Sequence, residues 1–186
     1  MKRNIIPLND LTIKIYDLWS EHWILLTAGD FAAGKFNTMA IGWGGLGNMW
    51  GKPFAHVVVR PTRYTHEFME KYDTFTICAF PENYGKAVQL LGAKSGRDGD
   101  KIAESGLTPI ASAKIAAPGF AEAELLLECR QIYRGELDPR GFLDKKINKH
   151  YPLKDYHSIY YGEVLAVFGA DSFLQSQKNR TFFKNR

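Results

Sequence analysis

Cationic and hydroxyl side chains cluster between an apolar run and an amphipathic segment, at Arg60, Thr62, Arg63 and Thr65. The pattern predicts that a strand ends and a helix begins here. Amide N–H groups at a helix N-terminus lack partners and carry positive partial charge, so a phosphate gains hydrogen bonds from backbone, hydroxyl and guanidinium together. The alternative is an ordinary N-cap flanked by surface arginines, and this motif alone does not decide between them.

A second small cationic loop favours the anion-binding interpretation, and it consists of Lys94, Ser95, Gly96 and Arg97. Its hydroxyl, its glycine backbone and its two cations can close on the same phosphate. By itself the tetrapeptide indicates only a loop. We therefore predict that the two segments together hold one anion.

A glycine-rich stretch interrupts an alternating strand pattern, and it comprises Asn37, Thr38, Met39, Ala40, Ile41, Gly42, Trp43, Gly44, Gly45, Leu46 and Gly47. Three of its glycines match G-x-G-x-x-G. A dinucleotide-binding loop, however, needs a helix that starts at the last glycines, and here Pro53 and a new strand follow within a turn or two. We interpret the stretch as a strand edge and a turn that lie against a ligand.

Aromatic and imidazole side chains could complete such a site. Trp43 and Trp50 flank the glycines, where an indole can stack on a flat heterocycle, although each could equally belong to the core. His157 stands where a polar loop enters a strand. It can line a cleft, and a hydrogen-bonded structural histidine is the competing interpretation.

Other catalytic chemistries lack their motifs. The sequence has no G-x-S-x-G, and its histidines lack the paired spacing of a zinc site; they are His22, His56, His66, His150 and His157. His66-Glu67 resembles the start of H-E-x-x-H, but the second histidine position is Glu70. We therefore expect no protein-bound catalytic metal.

Composition limits the class of protein. The chain has 186 residues, of which 45% are hydrophobic, and this suits one domain over residues 1–186. Much of the net charge of +4 comes from a basic C-terminal tail at residues 171–186, so we expect no nucleic-acid binding. No run is long enough for a membrane span, and we expect a cytoplasmic protein. Cys78 and Cys129 lie in different apolar runs, which predicts reduced, buried thiols.

Hydrophobic periodicity predicts antiparallel strands with short helices between them. The predicted strands are residues 22–28, 35–41, 54–60, 74–80, 121–137 and 158–170, and the predicted helical segments are residues 62–73, 83–91 and 98–104. In the run from 121 to 137, we expect Glu122, Glu124, Glu128 and Arg130 to share a solvated face. These elements predict a mainly β, α+β protein built as an antiparallel barrel.

In combination, the glycine-rich stretch, the segment from Arg60 to Thr65 and the run from Ser95 to Lys101 resemble the flavin reductase-like family, and most closely its flavoredoxin-type branch. The resemblance covers roughly residues 20–168. It implies an FMN-binding split β-barrel and a homodimer with flavin sites near the subunit interface. Gly42 departs from the family pattern, in which a small hydroxyl or methyl residue is common, and this leaves one contact to the ring in doubt.

The resemblance also implies roles for the residues named above. The isoalloxazine of FMN would lie along Asn37, Thr38, Met39, Ala40, Ile41 and Gly42, with Trp43 packed nearby. Its phosphate would be held by Arg60, Thr62, Arg63 and Thr65, assisted by Lys94, Ser95, Gly96 and Arg97. His157 would face the flavin and the nicotinamide of NADH or NADPH.

The expected function is that of an NAD(P)H-dependent flavin reductase, which passes electrons to free flavin or to a redox partner protein. Two alternatives stay open at this point. One is a flavoredoxin-like electron-transfer protein reduced by another protein, and the other is a non-enzymatic flavin-binding or sensory module.

Overall fold

The computed structural model describes residues 2–175, so most of the predicted basic tail lies outside the described residues. Within this range the strands are Asn4–Ile5 (β1), Trp23–Asp30 (β2), Lys35–Ile41 (β3), Gly44–Met49 (β4), Lys52–Val59 (β5), Thr74–Phe80 (β6), Pro109–Ile110 (β7), Gly119–Phe120 (β8), Leu125–Glu136 (β9) and Ser158–Gly169 (β10). The α-helices of the same range are Ile15–Ser20 (α1), Tyr64–Lys71 (α2), Gly85–Ala93 (α3) and Lys101–Ser105 (α4). Five short 3-10 helices complete it: Leu8–Asp10, Glu82–Tyr84, Pro139–Gly141, Lys145–His150 and Asp171–Phe173.

The main sheet is antiparallel, with strand order β3-β2-β6-β9-β10-β5-β4, and β1 pairs with β10 beside this path. β3 and β4 stand at opposite ends of this order, yet only Gly42 and Trp43 separate them in the chain. Two residues span less than about 11 Å even when fully extended. The sheet must therefore curl until its two ends meet, and the result is the predicted split antiparallel β-barrel.

The core consists of two apolar clusters on opposite faces of the sheet. Inward side chains alternate along β5, at Ala55, Val57 and Val59, and they pack inside the barrel with Tyr160. The second cluster lies outside the barrel, where α3 packs against β3 and β2 and residues of β6 join the cluster. All seven residues of β6 are buried because both of its faces are covered, which explains its continuous apolar sequence.

The part of the glycine-rich stretch that follows Trp43 forms strand β4, where the sequence analysis predicts a turn. Within β4, a Cβ on Gly45 would lie 2.6 Å from the His56 ring, and one on Gly47 would lie 3.0 Å from the Phe54 ring. These glycines therefore make room for rings on the paired strand β5. The turn follows at Trp50 and Gly51, whose φ values of 56° and 69° are those of a two-residue hairpin turn.

The prediction of a solvated acidic face on β9 is wrong for Glu128. Its side chain is completely buried, and its carboxylate accepts hydrogen bonds from the backbone N–H groups of Ala113 at 2.8 Å and Lys114 at 2.7 Å. Thr76 donates to the carbonyl of Pro118 at 2.7 Å nearby. These contacts attach the segment between β7 and β8 to the sheet, so the alternating pattern concealed a structural carboxylate.

The prediction of buried, reduced thiols is confirmed. Cys78 and Cys129 are both buried and free, and burial raises the pKa of each thiol.

The structure contains one helix that the sequence analysis does not predict, α1 at Ile15–Ser20. None of the helices in residues 2–175 combines the length and the apolar character that crossing a bilayer requires.

We expect Glu128→Ala to destabilise the fold by about 2–4 kcal/mol, because two buried backbone N–H groups lose their acceptor. Urea unfolding measures this loss, and hydrogen exchange should show faster exchange at Ala113 and Lys114. Glu136→Ala is the matched control, since Glu136 is exposed on the same strand. Equal stability of both variants would show that the buried carboxylate has no anchoring role.

Candidate functional site

The N-terminus of α2 is open to a ligand. Arg63 occupies the N-cap position, and no side chain caps this helix. The helix N-terminus lies at the end of β5, after a turn in which the Arg63 N–H donates to the carbonyl of Arg60 at 3.0 Å. The first amides of an uncapped helix are free donors, which is the arrangement that anions favour.

A cavity of about 150 Å³, which we name the helix-end cavity, lies at this N-terminus. It brings together most of the residues predicted to hold a phosphate and is lined by Asn37, Met39, Thr62, Arg63, Tyr64, Thr65, Leu91, Gly92, Ala93, Lys94, Ser95, Arg97 and Lys101. Two predicted phosphate residues lie elsewhere. Arg60 lines a different cavity, and Gly96 packs behind Asn37, where an added Cβ would lie 2.3 Å from the Asn37 amide oxygen.

The cations of the helix-end cavity differ in their partners. Arg97 pairs with Glu67 at 2.5 Å and lies 4.9 Å above the Tyr64 ring, while Lys94 pairs with Glu104. Arg63 makes no side-chain hydrogen bond or ion pair to any part of the chain that the structure describes. The Arg63 guanidinium is therefore available to an anion in this cavity.

Asn37 and Thr38 support the cavity from β3. The buried Asn37 amide donates to the Thr65 hydroxyl at 2.8 Å, which leaves the hydroxyl proton free to donate to a ligand. Thr38 lines neither cavity of the predicted site. Its hydroxyl is fully buried and bonds to the Leu26 carbonyl at 3.1 Å and the Thr27 hydroxyl at 2.9 Å.

A second cavity, of about 210 Å³, follows along β3, and we name it the tryptophan cavity. It is lined by Met39, Ala40, Ile41, Gly42, Trp43, Val58, Arg60, Arg63 and His157. Met39 and Arg63 line both cavities. The sites that the sequence predicts for a ring and for a phosphate are thus neighbours along one strand.

Arg60, in the wall of the tryptophan cavity, holds the polar segment that precedes His157. Its guanidinium donates to Asp155 at 2.7 Å and to the His150 carbonyl at 2.6 Å, and it lies 4.9 Å above the Tyr151 ring. These contacts fix residues 150–155 next to His157. They use two of the five N–H donors of the guanidinium, and Arg60 lines the tryptophan cavity together with Arg63 but does not line the helix-end cavity.

His157 lies in the wall of the tryptophan cavity with only 8% of its surface exposed. Its Nδ1 is 2.8 Å from the Tyr151 hydroxyl, and its ring centroid is 5.1 Å from that of Trp43. A phenol is a better donor than a neutral imidazole, so we assign the proton to Nε2. Burial, assisted by Arg60, lowers the pKa of His157 to about 4, and the ring is neutral at pH 7.

The sequence analysis assigns no site role to three residues of this region, namely Lys101, Tyr151 and Asp155, although Lys101 ends the run that carries the family resemblance. Lys101 follows Asp100, whose carboxylate caps α4 by accepting from the Ala103 N–H at 3.0 Å. Its place directly after a capping aspartate and a cationic loop is the available signal. Tyr151 and Asp155 act through tertiary contacts, which no local pattern reveals.

A larger cavity of about 820 Å³ adjoins the helix-end cavity and shares Asn37, Tyr64 and Lys101 with it. Its walls include the rings of Phe36, Phe68 and Tyr72. The described residues contain no group of three or more His, Cys, Asp or Glu side chains placed to hold a metal ion.

Comparison with known proteins identifies the family. A family model described as "Flavin reductase like domain" matches residues 24–182, and the chain belongs to this family. Its mainly β architecture is the split barrel of flavin reductase-like proteins.

Individual known proteins are similar to this chain at low sequence identity. Flavoredoxin from Methanosarcina acetivorans has 25% identity and a TM-score of 0.62, and the match covers 93% of this chain and 78% of that one. The NADH:FAD oxidoreductase SgcE6 of Streptomyces globisporus has 16% identity and a TM-score of 0.62, with 81% and 77% covered. An uncharacterized protein of Pyrococcus abyssi is 27% identical over 129 residues, which span 68% of this chain and 63% of that protein.

The low pKa of His157 makes stability depend on pH. The unfolded chain binds a proton near pH 6.5, whereas the folded chain does so near pH 4, so stability falls as the pH decreases between these values. A shift of this size corresponds to about 3 kcal/mol at most. Urea unfolding at pH 7 and pH 4.5 should show a smaller acid loss for His157→Gln than for the wild type. Parallel losses in both proteins would contradict a buried, neutral His157.

Proposed function

We propose that the protein binds FMN and acts as an NAD(P)H-dependent flavin reductase, which passes electrons to free flavin or to a redox partner protein. The observation that carries this proposal is the pair of adjoining cavities along β3, one lined by Trp43 and His157 and the other by Arg63 and the α2 N-terminus. FMN has the matching form, a flat ring joined through a ribityl chain to a phosphate. Membership of the flavin reductase-like family supports the same cofactor.

The helix-end cavity fits a phosphate by the chemistry of its donors. Arg63 has no other partner among residues 2–175, the α2 N-terminus is uncapped, and the Thr65 hydroxyl can donate. Charge-assisted hydrogen bonds from an arginine and from helix amides are the strongest contacts that a protein offers to a phosphate. In this proposal Ser95, Lys94 and Arg97 close the cavity from the opposite loop.

The tryptophan cavity fits a flat, polar-edged ring. Within residues 2–175, β3 pairs only with β2, so the backbone groups on its other edge are available to hydrogen-bond with a ligand from Met39 to Gly42. Gly42 adds no side chain there, and an added Cβ would approach nothing nearer than the Trp19 carbonyl at 4.0 Å. Trp43, 48% exposed, would cover the ring from the side of His157.

His157 would act as a neutral hydrogen-bond donor at the ring. Tyr151 orients it through Nδ1, and Arg60 fixes the segment that carries Tyr151, so the Nε2–H has a defined direction. When bound, FMN supplies hydride acceptance and electron transfer, and the protein supplies binding and orientation. His157 would position the nicotinamide carboxamide or stabilise the reduced ring.

Two observations bear on the reductant. Similarity in fold to an NADH:FAD oxidoreductase favours direct reduction by a nicotinamide nucleotide. Similarity to a flavoredoxin favours the second candidate, an electron-transfer protein reduced by another protein. A homodimer with flavin sites near the subunit interface stays a prediction.

We expect Arg63→Ala to weaken FMN binding roughly ten- to hundredfold, because one charge-assisted contact to the phosphate is lost. Fluorescence titration of the apoprotein with FMN measures the dissociation constant. Arg140→Ala is the control, since Arg140 is exposed and pairs only with Asp138 among the described residues. Unchanged affinity in folded Arg63→Ala would remove Arg63 from the site.

Stopped-flow reduction of bound FMN distinguishes the reductase from the electron carrier. NADH or NADPH should reduce the wild-type flavin, and His157→Ala should slow this step while FMN stays bound, since orientation contributes to hydride transfer and the phosphate contacts contribute to retention. If neither nucleotide reduces the wild-type flavin, the proposed function becomes that of an electron-transfer protein reduced by another protein. If His157→Ala reacts as fast as the wild type, only the role of the histidine is lost.

A further inference from the structure

The larger cavity, of about 820 Å³, lies apart from the place proposed for the flavin ring, and we name it the aromatic cavity. It adjoins the helix-end cavity, but within residues 2–175 it has no lining residue in common with the tryptophan cavity. Its volume is within the range of about 300–1,000 Å³ that is usual for small-molecule sites. The proposed function leaves this cavity without a role.

Aromatic rings form one wall of the aromatic cavity. Tyr64, Phe68 and Tyr72 follow one another along α2 and at its C-cap. Tyr64 and Phe68 meet edge to face with their centroids 5.1 Å apart, and Phe68 and Tyr72 lie nearly parallel at 6.1 Å. Phe36 of β3 adds a fourth half-buried ring. Such rings gain most from a ligand that is itself flat and aromatic.

Lys101 brings a buried cation to the same cavity. Only 4% of its surface is exposed, and its ammonium donates to the carbonyls of Leu91 at 2.7 Å and Lys94 at 3.0 Å. An ammonium has three N–H donors, and the third makes no hydrogen bond within residues 2–175. Burial, and secondarily the charge of Arg63, lower the pKa of Lys101 to about 8, so most of it is charged at pH 7.

The lining of the aromatic cavity has an excess of positive charge. Its two acids are already engaged, Glu67 in an ion pair with Arg97 and Asp100 as the cap of α4. Lys35 and Lys71 also line the cavity, and neither forms an ion pair within residues 2–175. Because a buried cation without a counter-ion is costly, an anion in this cavity would stabilise it.

We propose that the aromatic cavity is a second ligand site, which takes a flat aromatic carboxylate. The ring of this ligand would pack on the aromatic side chains of α2, and its carboxylate would accept the third hydrogen bond of Lys101. The exposed Lys35 and Lys71 would attract the anion from solution. The inference goes beyond the proposed function and does not require bound FMN.

The test compares 2-naphthoate with 2-naphthamide, which has the same rings and no charge. Calorimetric titration, with and without excess FMN, measures both dissociation constants. The wild type should bind 2-naphthoate roughly ten- to hundredfold more tightly, and this binding should persist in excess FMN. Lys101→Met should lose the preference and keep its affinity for 2-naphthamide. Lys86→Met is the matched control, because it removes an exposed lysine from α3 and should behave as the wild type.

Two further variants locate the compounds within the protein. Phe68 lines the aromatic cavity and not the helix-end cavity, so Phe68→Leu should weaken both compounds by the same factor, roughly two- to tenfold. Arg63 lines the helix-end and tryptophan cavities and not the aromatic cavity. Arg63→Ala should therefore keep the wild-type affinity for 2-naphthoate.

The outcomes are distinct from those that test the proposed function, which is measured by the binding of FMN itself. Equal affinity of the wild type for both compounds, or no binding of 2-naphthoate, overturns the second site. Displacement of 2-naphthoate by FMN, or weakening by Arg63→Ala with no effect of Phe68→Leu, would place the compound in the flavin site and also overturns it. A preference for 2-naphthoate that needs Lys101, with affinity that needs Phe68, supports the second site.

Discussion

The link of two residues between β3 and β4 is the constraint on which the rest of the structure depends. Gly42 and Trp43 connect strands that stand at opposite ends of the sheet order, and so the sheet must curl upon itself. Within residues 2–175, curling leaves β3 with an unpaired edge. It also places the ring centroid of Trp43 5.1 Å from that of His157, which directly precedes β10 more than a hundred residues later. β5 pairs with β10 in the same sheet, and the α2 N-terminus that follows β5 lies beside the loop after α3 in the helix-end cavity. The two walls of the proposed site therefore meet along β3, next to this connection.

Electrostatics divides the site into two parts. Near Trp43, burial and nearby arginines keep the imidazole of His157 neutral, whereas the helix-end cavity retains cations that the described chain leaves without carboxylate partners. The cations of the helix-end cavity lower the stability of the fold, because buried charge without a counter-ion is unfavourable. An anion bound in this cavity would compensate that charge. Arg60 belongs to the first part, since its contacts hold the segment that orients His157.

Periodicity in the sequence predicts most of the fold. β3 and β6 have the predicted bounds, and α2 and α3 begin and end within a few residues of their predicted bounds. Strands and helices alike show their apolar period in the local sequence. The sequence analysis interprets β4 as a turn, because glycine has no side chain that would show a period. In the structure the glycines of β4 leave space for rings on β5. Glu128 is misread because burial by a distant loop leaves no mark on an alternating pattern.

The residues of the candidate site could be named from sequence to the extent that they occur in short motifs. Arg63, Ser95 and the Met39–Trp43 stretch lie together as predicted, although their roles stay predictions. The partners of Arg60 could not be found in this way, since Asp155 is 95 residues away along the chain.

The position of β10 in the sheet has a consequence for biosynthesis. This strand pairs with β1, β5 and β9, and its partners on β5 lie about a hundred positions earlier in the chain, as in the pair of Val59 and Ser158. Such distant pairings make folding slow, because a long loop must close before any contact forms. On the ribosome, β2 to β9 emerge first and β5 waits without its neighbour. The barrel can close only after residue 169 has left the exit tunnel, so the candidate site is completed long after the residues of β3 and β5 have been made.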